Sequence, residues 1–191
     1  IPVSATLSAI LKESQTVFAL SGGAFDVTCR PLIVLWKEAG RIGSVPDASA
    51  IEVARAASRW ELASWVEDGL IKGEQSLCFD LGGVAKGFAI DEAVDVMMRL
   101  GAKGALVDIG GDLKTAGRSS APDGGWSVDV RDPDSDGVVG TLQVSAGMAI
   151  CTSGDYARYV TIGGVRYSHI LDPRSGMPVN AIPSVTVLGS S

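Results

Sequence analysis

The chain has 191 residues, 46% of them hydrophobic, with a formal net charge of −6 and a pI near 4.7. That length can bury a full core as one domain, or one domain with a small lobe, and the acidity excludes a nucleic-acid binder, which needs a basic face. No apolar run reaches the roughly 18 residues of a membrane span; even the stretch from Pro31 to Trp36 stops at Lys37, so the chain reads as soluble.

The opening segment, Pro2 to Thr16, places Val3, Leu7, Ile10 and Leu11 at helical spacing, with Pro2 and Ser4 as start signals. No charged-then-apolar leader precedes it, so any targeting signal is expected to have been removed or never present. The glycine turn from Leu20 to Asp26 delivers an aromatic and a carboxylate, and the apolar run to Trp36 follows. Gly40 to Asp47 reads as loop, and Pro46 then opens a short helix to about Ser58. Trp65-Val66, Leu70-Ile71 and Leu77-Phe79 read as short strands joined by turns at Asp68-Gly69 and Lys72-Gly73.

Asp80-Leu-Gly-Gly-Val-Ala-Lys-Gly-Phe-Ala-Ile-Asp91 reads as the end of a strand, a tight glycine turn, and a helix whose amphipathic pattern runs from Val84 to Leu100. The first amides of such a helix lack intrahelical partners, the macrodipole adds partial positive charge, and Lys86 adds a full charge. Two glycines let backbone approach a ligand closely. The stretch is therefore a phosphate-sized anion site with Asp80 beside it, although its spacing is neither the Walker pattern nor G-x-G-x-x-G. An acidic protein that binds a phosphorylated ligand must supply local positive charge, and a divalent metal is expected to contribute. Gly101 stops the helix, and Gly104 to Ile109 reads as a buried strand ending at Gly110-Gly111-Asp112. Gly117 to Gly125 reads as surface loop.

From Trp126 the pattern changes to period two: Trp126, Val128 and Val130, then Val138 to Val144, then Met148 to Cys151. Tyr156 to Ile162 and Val165 to Ile170 flank Gly163-Gly164 as a hairpin, and Val185 to Leu188 give one more strand. Helices early and antiparallel strands late predict an α+β fold, a single compact domain with a mainly antiparallel sheet flanked by helices. Cys29, Cys78 and Cys151 show no C-x-x-C spacing, which argues against zinc and a disulfide framework; they are expected to be small buried hydrophobes.

Four glycine turns share a design of backbone amides beside a carboxylate or hydroxyl: Gly23 to Asp26, Asp80 to Gly87, Asp108 to Asp112, and Thr152 to Asp155. Any one of them is an ordinary turn; the recurrence is what points to a site. His169, the single histidine, stands before Asp172-Pro173-Arg174-Ser175-Gly176. A lone histidine after a strand is as a rule structural, yet it is the first base to test if a hydroxyl must be deprotonated, because its unperturbed pKa is about 6.5. Ser153 with His169 and an aspartate does not make a hydrolase triad, since Cys151 to Asp155 lacks the G-x-S-x-G elbow.

Taken together, these pieces resemble the ApbE-type FAD:protein FMN transferases. The resemblance is carried by Gly23-Ala-Phe-Asp-Val-Thr-Cys-Arg-Pro-Leu32 with Leu35-Trp36, by Asp80 to Asp91, by Ile109-Gly-Gly-Asp112, by Thr152 to Tyr156, and by Tyr167-Ser-His-Ile-Leu-Asp-Pro-Arg-Ser-Gly-Met-Pro178. It covers nearly the whole chain. It implies an enzyme that binds FAD with a divalent metal, usually Mg2+, and attaches FMN by a phosphoester to a threonine or serine of an acceptor protein, releasing AMP. The family residues fall on Ala24, Phe25 and Asp26 at the flavin nucleotide, on Asp80 and Lys86 as FAD contacts, and on Leu171 in the pocket wall. The Gly83 backbone carbonyl falls where the family has a metal ligand, and His169 matches the histidine that assists transfer. Family members are often exported, so a periplasmic or cell-envelope location is expected.

The family's further metal ligands, on an Asp-Ala-x-x-Thr type segment after the last strand, and its N-terminal strand have no counterpart within residues 1–191. The remaining carboxylate ligands are thus expected beyond residue 191. Asp112 stands where many relatives have asparagine and adds negative charge near the site. The alternative reading from the same residues is a module that binds FAD, or hydrolyses it to FMN and AMP, without transfer.

Overall fold

The computed structural model describes residues 2–67, 69–156 and 158–190. Its contacts segregate into two compact units, the first made of residues 1–84 and 157–181, the second of residues 85–156 and 182–191. The α+β class is as expected, and every strand pairing is antiparallel.

The first unit begins with α1 (Ala5–Leu20), capped by Ser4, whose Oγ accepts the Leu7 N–H at 3.2 Å. Ser4 rather than Pro2 is thus the start, and the helix continues past Thr16 until Gly22 and Gly23 turn the chain. The apolar run before Trp36 is the middle of α2 (Arg30–Ile42). The expected loop at Gly40 is still helix, because Gly40 acts in packing: a Cβ there would lie 2.6 Å from the Val160 side chain. The break comes at Gly43, with φ +78°. α3 (Ala48–Ala56) is capped by Asp47, whose carboxylate accepts the Ala50 N–H.

A short 3₁₀ turn (Trp60–Leu62) leads into the hairpin of β1 (Ala63–Val66) and β2 (Gly69–Lys72). Asp68, half of the expected turn there, lies outside the described residues. Leu77 to Phe79 is not a strand. Leu77 is fully buried, but the segment finds no ladder partner, so its apolar character serves the core.

Two apolar clusters hold this unit. One gathers Leu11, Val27, Trp60 and Leu70, with Phe25, Phe79 and Val84 against it; the other gathers Trp36, Ala39 and Ile162, with Tyr167 and Leu171. The second cluster is completed by the hairpin of β8 (Tyr159–Ile162) and β9 (Val165–Ser168), turned at Gly163-Gly164 as expected, and by the short pair β10 (Leu171–Asp172) and β11 (Met177–Pro178).

In the second unit, α4 (Ala85–Arg99) packs on a four-stranded sheet. The strands are β3 (Gly104–Ile109), β4 (Asp112–Gly117), β7 (Met148–Gly154) and β12 (Ser184–Ser190), in the order β12-β7-β4-β3. β3 is an edge strand, so among its residues only Ala105 is buried, not the whole strand. The middle of β4, Leu113 to Ala116, carries no strand expectation in the sequence, because its apolar positions, Leu113 and Ala116, are interrupted by Lys114 and Thr115. Gly110 and Gly111, with φ of +63° and +87°, form the two-residue turn between β3 and β4. Thr152 to Gly154 lie inside β7 rather than in a glycine turn. A separate hairpin of β5 (Trp126–Arg131) and β6 (Val138–Val144) covers Leu113 and Ile150.

All three cysteines are free. Only Cys29 is even half-buried, whereas Cys78 and Cys151 are exposed, contrary to the expectation of three core hydrophobes. No helix among the described residues is long and apolar enough to cross a membrane.

Candidate functional site

Most of the expected nucleotide residues meet in the first unit. The end of α1 sets their geometry: Ser21 Oγ accepts the Phe25 N–H at 3.1 Å, and the Gly23 N–H donates to the Phe18 carbonyl at 2.9 Å. This turn leaves Ala24 exposed, Phe25 half-buried, and Asp26 buried with 7% of its surface accessible. Asp26 Oδ1 accepts two hydrogen bonds from Thr28, from the backbone N–H at 2.8 Å and from the hydroxyl at 2.7 Å. An aspartate followed two residues later by a hydroxyl is a recognisable Asx-turn pattern, so Thr28 is a supporting residue that sequence reasoning could have named.

Burial pushes the Asp26 carboxyl above its ordinary value of 3.8; the Thr28 hydrogen bonds oppose the rise and the charge of Glu61 adds to it. Above 3.8 the unfolded chain releases a proton that the folded chain retains. This group's contribution to stability is therefore fully present below 3.8 and is lost as pH rises through the raised folded value. Asp26→Asn keeps an acceptor for Thr28 and removes the titration. Urea unfolding across that window is expected to show a shallower decline in the variant; an identical pH dependence would contradict the assignment.

Asp80 joins the same cluster. Its N–H donates to the Val27 carbonyl at 2.6 Å, its Oδ1 accepts the Gly82 N–H at 2.9 Å, and its Oδ2 faces Arg30 at 4.0 Å. Arg30, at the start of α2, is a second residue that sequence reasoning did not single out. Leu81 to Val84 form a turn closed by the Val84 N–H on the Leu81 carbonyl. Its glycines meet a close-approach requirement inside the protein: a Cβ on Gly83 would sit 3.1 Å from the Phe25 ring. The Phe25 ring therefore lies on the backbone whose carbonyl was the expected metal donor. Cys29, between Asp26 and Asp80, has its thiol pushed up to about 12 by burial and then by those two carboxylates, so it is inert as a nucleophile.

Leu171 lies apart from this group, in the Trp36 cluster. His169 is exposed at the end of β9, where its Nδ1 lies 2.9 Å from the Arg158 carbonyl and its backbone N–H donates to the same oxygen at 3.3 Å. A carbonyl only accepts, so the neutral ring carries its proton on Nδ1 and presents an unprotonated Nε2, the tautomer a base requires.

Lys86 belongs to the second unit, in the first turn of α4. Its Nζ lies 2.7 Å from Asp112 Oδ2 and 3.5 Å from the Gly110 carbonyl. The full positive charge expected at this helix start is thus offset by an acid. Ile109-Gly-Gly-Asp112 and Lys86 come together because the tight β3–β4 turn delivers Asp112 beneath α4.

As for a divalent cation, no three side chains of the His, Cys, Asp and Glu types converge among the described residues. Of the Asp80 oxygens, one is bonded to Gly82 and the other faces Arg30. Magnesium takes a near-octahedral oxygen shell, and these side chains do not make one.

A model of the ApbE family matches residues 1–191. The chain is 35% identical over 195 residues to an FAD:protein FMN transferase of Vibrio cholerae, covering 99% of this chain and 58% of the relative. It is 30% identical over 195 residues to one of Klebsiella pneumoniae, covering 100% and 59%. Among solved structures it is similar to the ApbE protein of Thermotoga maritima, with TM-score 0.88 and 32% identity over 100% of this chain and 62% of that one. It is also similar to the Pseudomonas stutzeri flavinyl transferase ApbE, with TM-score 0.81 and 34% identity over 99% and 59%. The chain therefore spans about three fifths of the length of the curated relatives it matches.

Proposed function

The chain belongs to the ApbE family, and from that premise we propose that it is the flavin-handling part of an FAD:protein FMN transferase. The observation that carries this reading is the cluster in the first unit, where Ser21 holds Phe25, Thr28 holds the buried Asp26, and Gly82 and the Val27 carbonyl hold Asp80. Thr28 satisfies one oxygen of Asp26, and the buried carboxylate beside Phe25 and Asp80 is the kind of desolvated acid that marks a candidate ligand site.

In this proposal Ala24, Phe25, Asp26 and Asp80 hold the nucleotide, Lys86 faces its phosphates, and Leu171 supports the pocket wall from the Trp36 cluster. The acceptor protein's threonine or serine hydroxyl attacks the phosphorus on the FMN side. The bond from that phosphorus to the bridging oxygen breaks, AMP leaves with the electron pair, and the hydroxyl proton passes to His169 Nε2. Lysine and backbone donors act by positioning and by stabilising the charge that develops on the phosphoryl oxygens. Magnesium is part of the proposal on the family resemblance alone, with the Gly83 carbonyl as the donor that resemblance assigns; the described side chains do not complete its shell, and no step here is routed through it. A periplasmic or envelope location rests on the same resemblance.

The test is to incubate the protein with FAD and magnesium, with and without an acceptor domain, and to separate the nucleotides. The expected result is quenching of flavin fluorescence on binding, and AMP that appears in proportion to protein-attached flavin. Quenching without AMP would favour the binding module. Equal free FMN and AMP would favour hydrolysis.

A further inference from the structure

Two ion pairs of opposite polarity tether α4 to β4. Asp91 of the helix meets Lys114 of the strand at 2.8 Å, and Lys86 of the helix meets Asp112 of the strand at 2.7 Å. Each pair has one anchored and one reachable end: Asp112 is 15% exposed against 40% for Lys86, and Lys114 is 15% exposed against 52% for Asp91. What sets the second pair apart is that its reachable end is the cation, in the first turn of α4, and that its acid is bonded onward to the neighbouring strand.

The anchor runs across the sheet. Backbone pairing of β4 with β7 covers Leu113 with Ile150 and Lys114 with Ala149. Where it ends, Asp112 Oδ1 accepts the Thr152 N–H at 3.2 Å, so a side chain continues the ladder. Thr152 is in turn opposite Thr186 of β12, and their hydroxyl oxygens lie 2.9 Å apart. Thr186, Thr152, Asp112 and Lys86 thus form one polar chain from the far strand to the first turn of the helix. Asp112 is the link in that chain that touches both β7 and the lysine.

A lysine ammonium has three donors on a flexible stem. Asp112 takes one, the Gly110 carbonyl faces another, and one is left for a ligand. Fixing the stem before binding removes ordering cost from the binding step.

We infer that Asp112 is a positioning residue, which holds the Lys86 ammonium at the start of α4 in the orientation that meets the anionic part of FAD. The inference rests on the assignment of Lys86 to FAD. Asp112 does not itself touch the nucleotide; it acts through Lys86. Asp91 with Lys114 ties the same helix to the same strand and has no such role, which makes it the internal control.

FAD dissociation constants, read from flavin fluorescence quenching in magnesium buffer, test this with a double-mutant cycle. Asp112→Ala and Lys86→Ala are each expected to raise the dissociation constant about tenfold, and the double variant to be no weaker than Lys86→Ala alone. Asp112→Asn, which keeps an acceptor oxygen, is expected to stay within about threefold of the parent. Asp91→Ala is expected to lower the melting temperature about as much as Asp112→Ala while leaving FAD affinity unchanged. An unchanged or lower dissociation constant in Asp112→Ala, beside a weakened Lys86→Ala, overturns the inference alone. So does an Asp112→Ala effect that persists in full without Lys86, because it would mark a purely structural role. An unchanged constant in Lys86→Ala overturns the assignment of Lys86 and the inference with it.

Discussion

Alanine at His169 is expected to slow flavin transfer by about 10²- to 10⁴-fold, the usual contribution of a positioned general base, while FAD affinity stays within about threefold of the parent. The expectation follows from the tautomer. The Arg158 carbonyl receives both the ring Nδ1–H and the backbone N–H of His169, so the exposed residue is held through Nδ1 and its Nε2 is left as the unprotonated nitrogen of the neutral ring. His169 is the single histidine among these 191 residues. Single-turnover attachment of flavin under saturating FAD separates this step from binding. His169→Gln should be as slow as His169→Ala, since an amide can hydrogen-bond but cannot take the proton. Full-rate transfer by either variant would remove the base from the account.

Trp36→Ala is expected to cost about 3–5 kcal/mol of stability, as for other buried large aromatics, and to lower the melting temperature on the order of 10 °C for a protein of this size. The indole is 3% exposed and stacks on Tyr167 with ring centroids 5.2 Å apart. Its Nε1–H donates to the Gly176 carbonyl at 2.8 Å, bridging α2 to the turn that follows His169. The alanine variant loses the packed volume, the stack and that bond together. Trp36→Phe retains most of the volume and should lose about 1–2 kcal/mol, the share of one buried hydrogen bond left unmade. Chemical denaturation of the three proteins resolves the order; a phenylalanine variant as damaged as the alanine one would show that the bridge to Gly176, rather than packing, dominates.

The sequence was most legible where local chemistry decides the outcome. The Gly163-Gly164 hairpin and the helix after Gly83 are both short-range patterns, and each is found where it was read. The apolar run at Leu77 to Phe79 misled because a run of hydrophobes reports burial and not a partner strand. Gly40 misled because a glycine needed for close packing against Val160 looks the same in sequence as one that ends a helix.

The site divides in the same way. Ala24 to Asp26 and Asp80 are positioned by contacts within a few residues or by one neighbouring segment. Lys86 and Asp112 lie on separate elements, and their pairing is created by the β3–β4 turn, which no local pattern announces. The offset of the lysine charge, and Arg30 facing Asp80, are consequences of tertiary placement, so the start of α4 carries less unpaired positive charge in the fold than its sequence suggests.

Whether this chain serves transfer of FMN to another protein is decided by the intact mass of an acceptor domain after incubation with the protein, FAD and magnesium. The expected result is a mass gain of one phosphoester-linked FMN on a threonine or serine, matched by one AMP and lost in His169→Ala. An unmodified acceptor in a mixture where FAD has been bound or cleaved would contradict it.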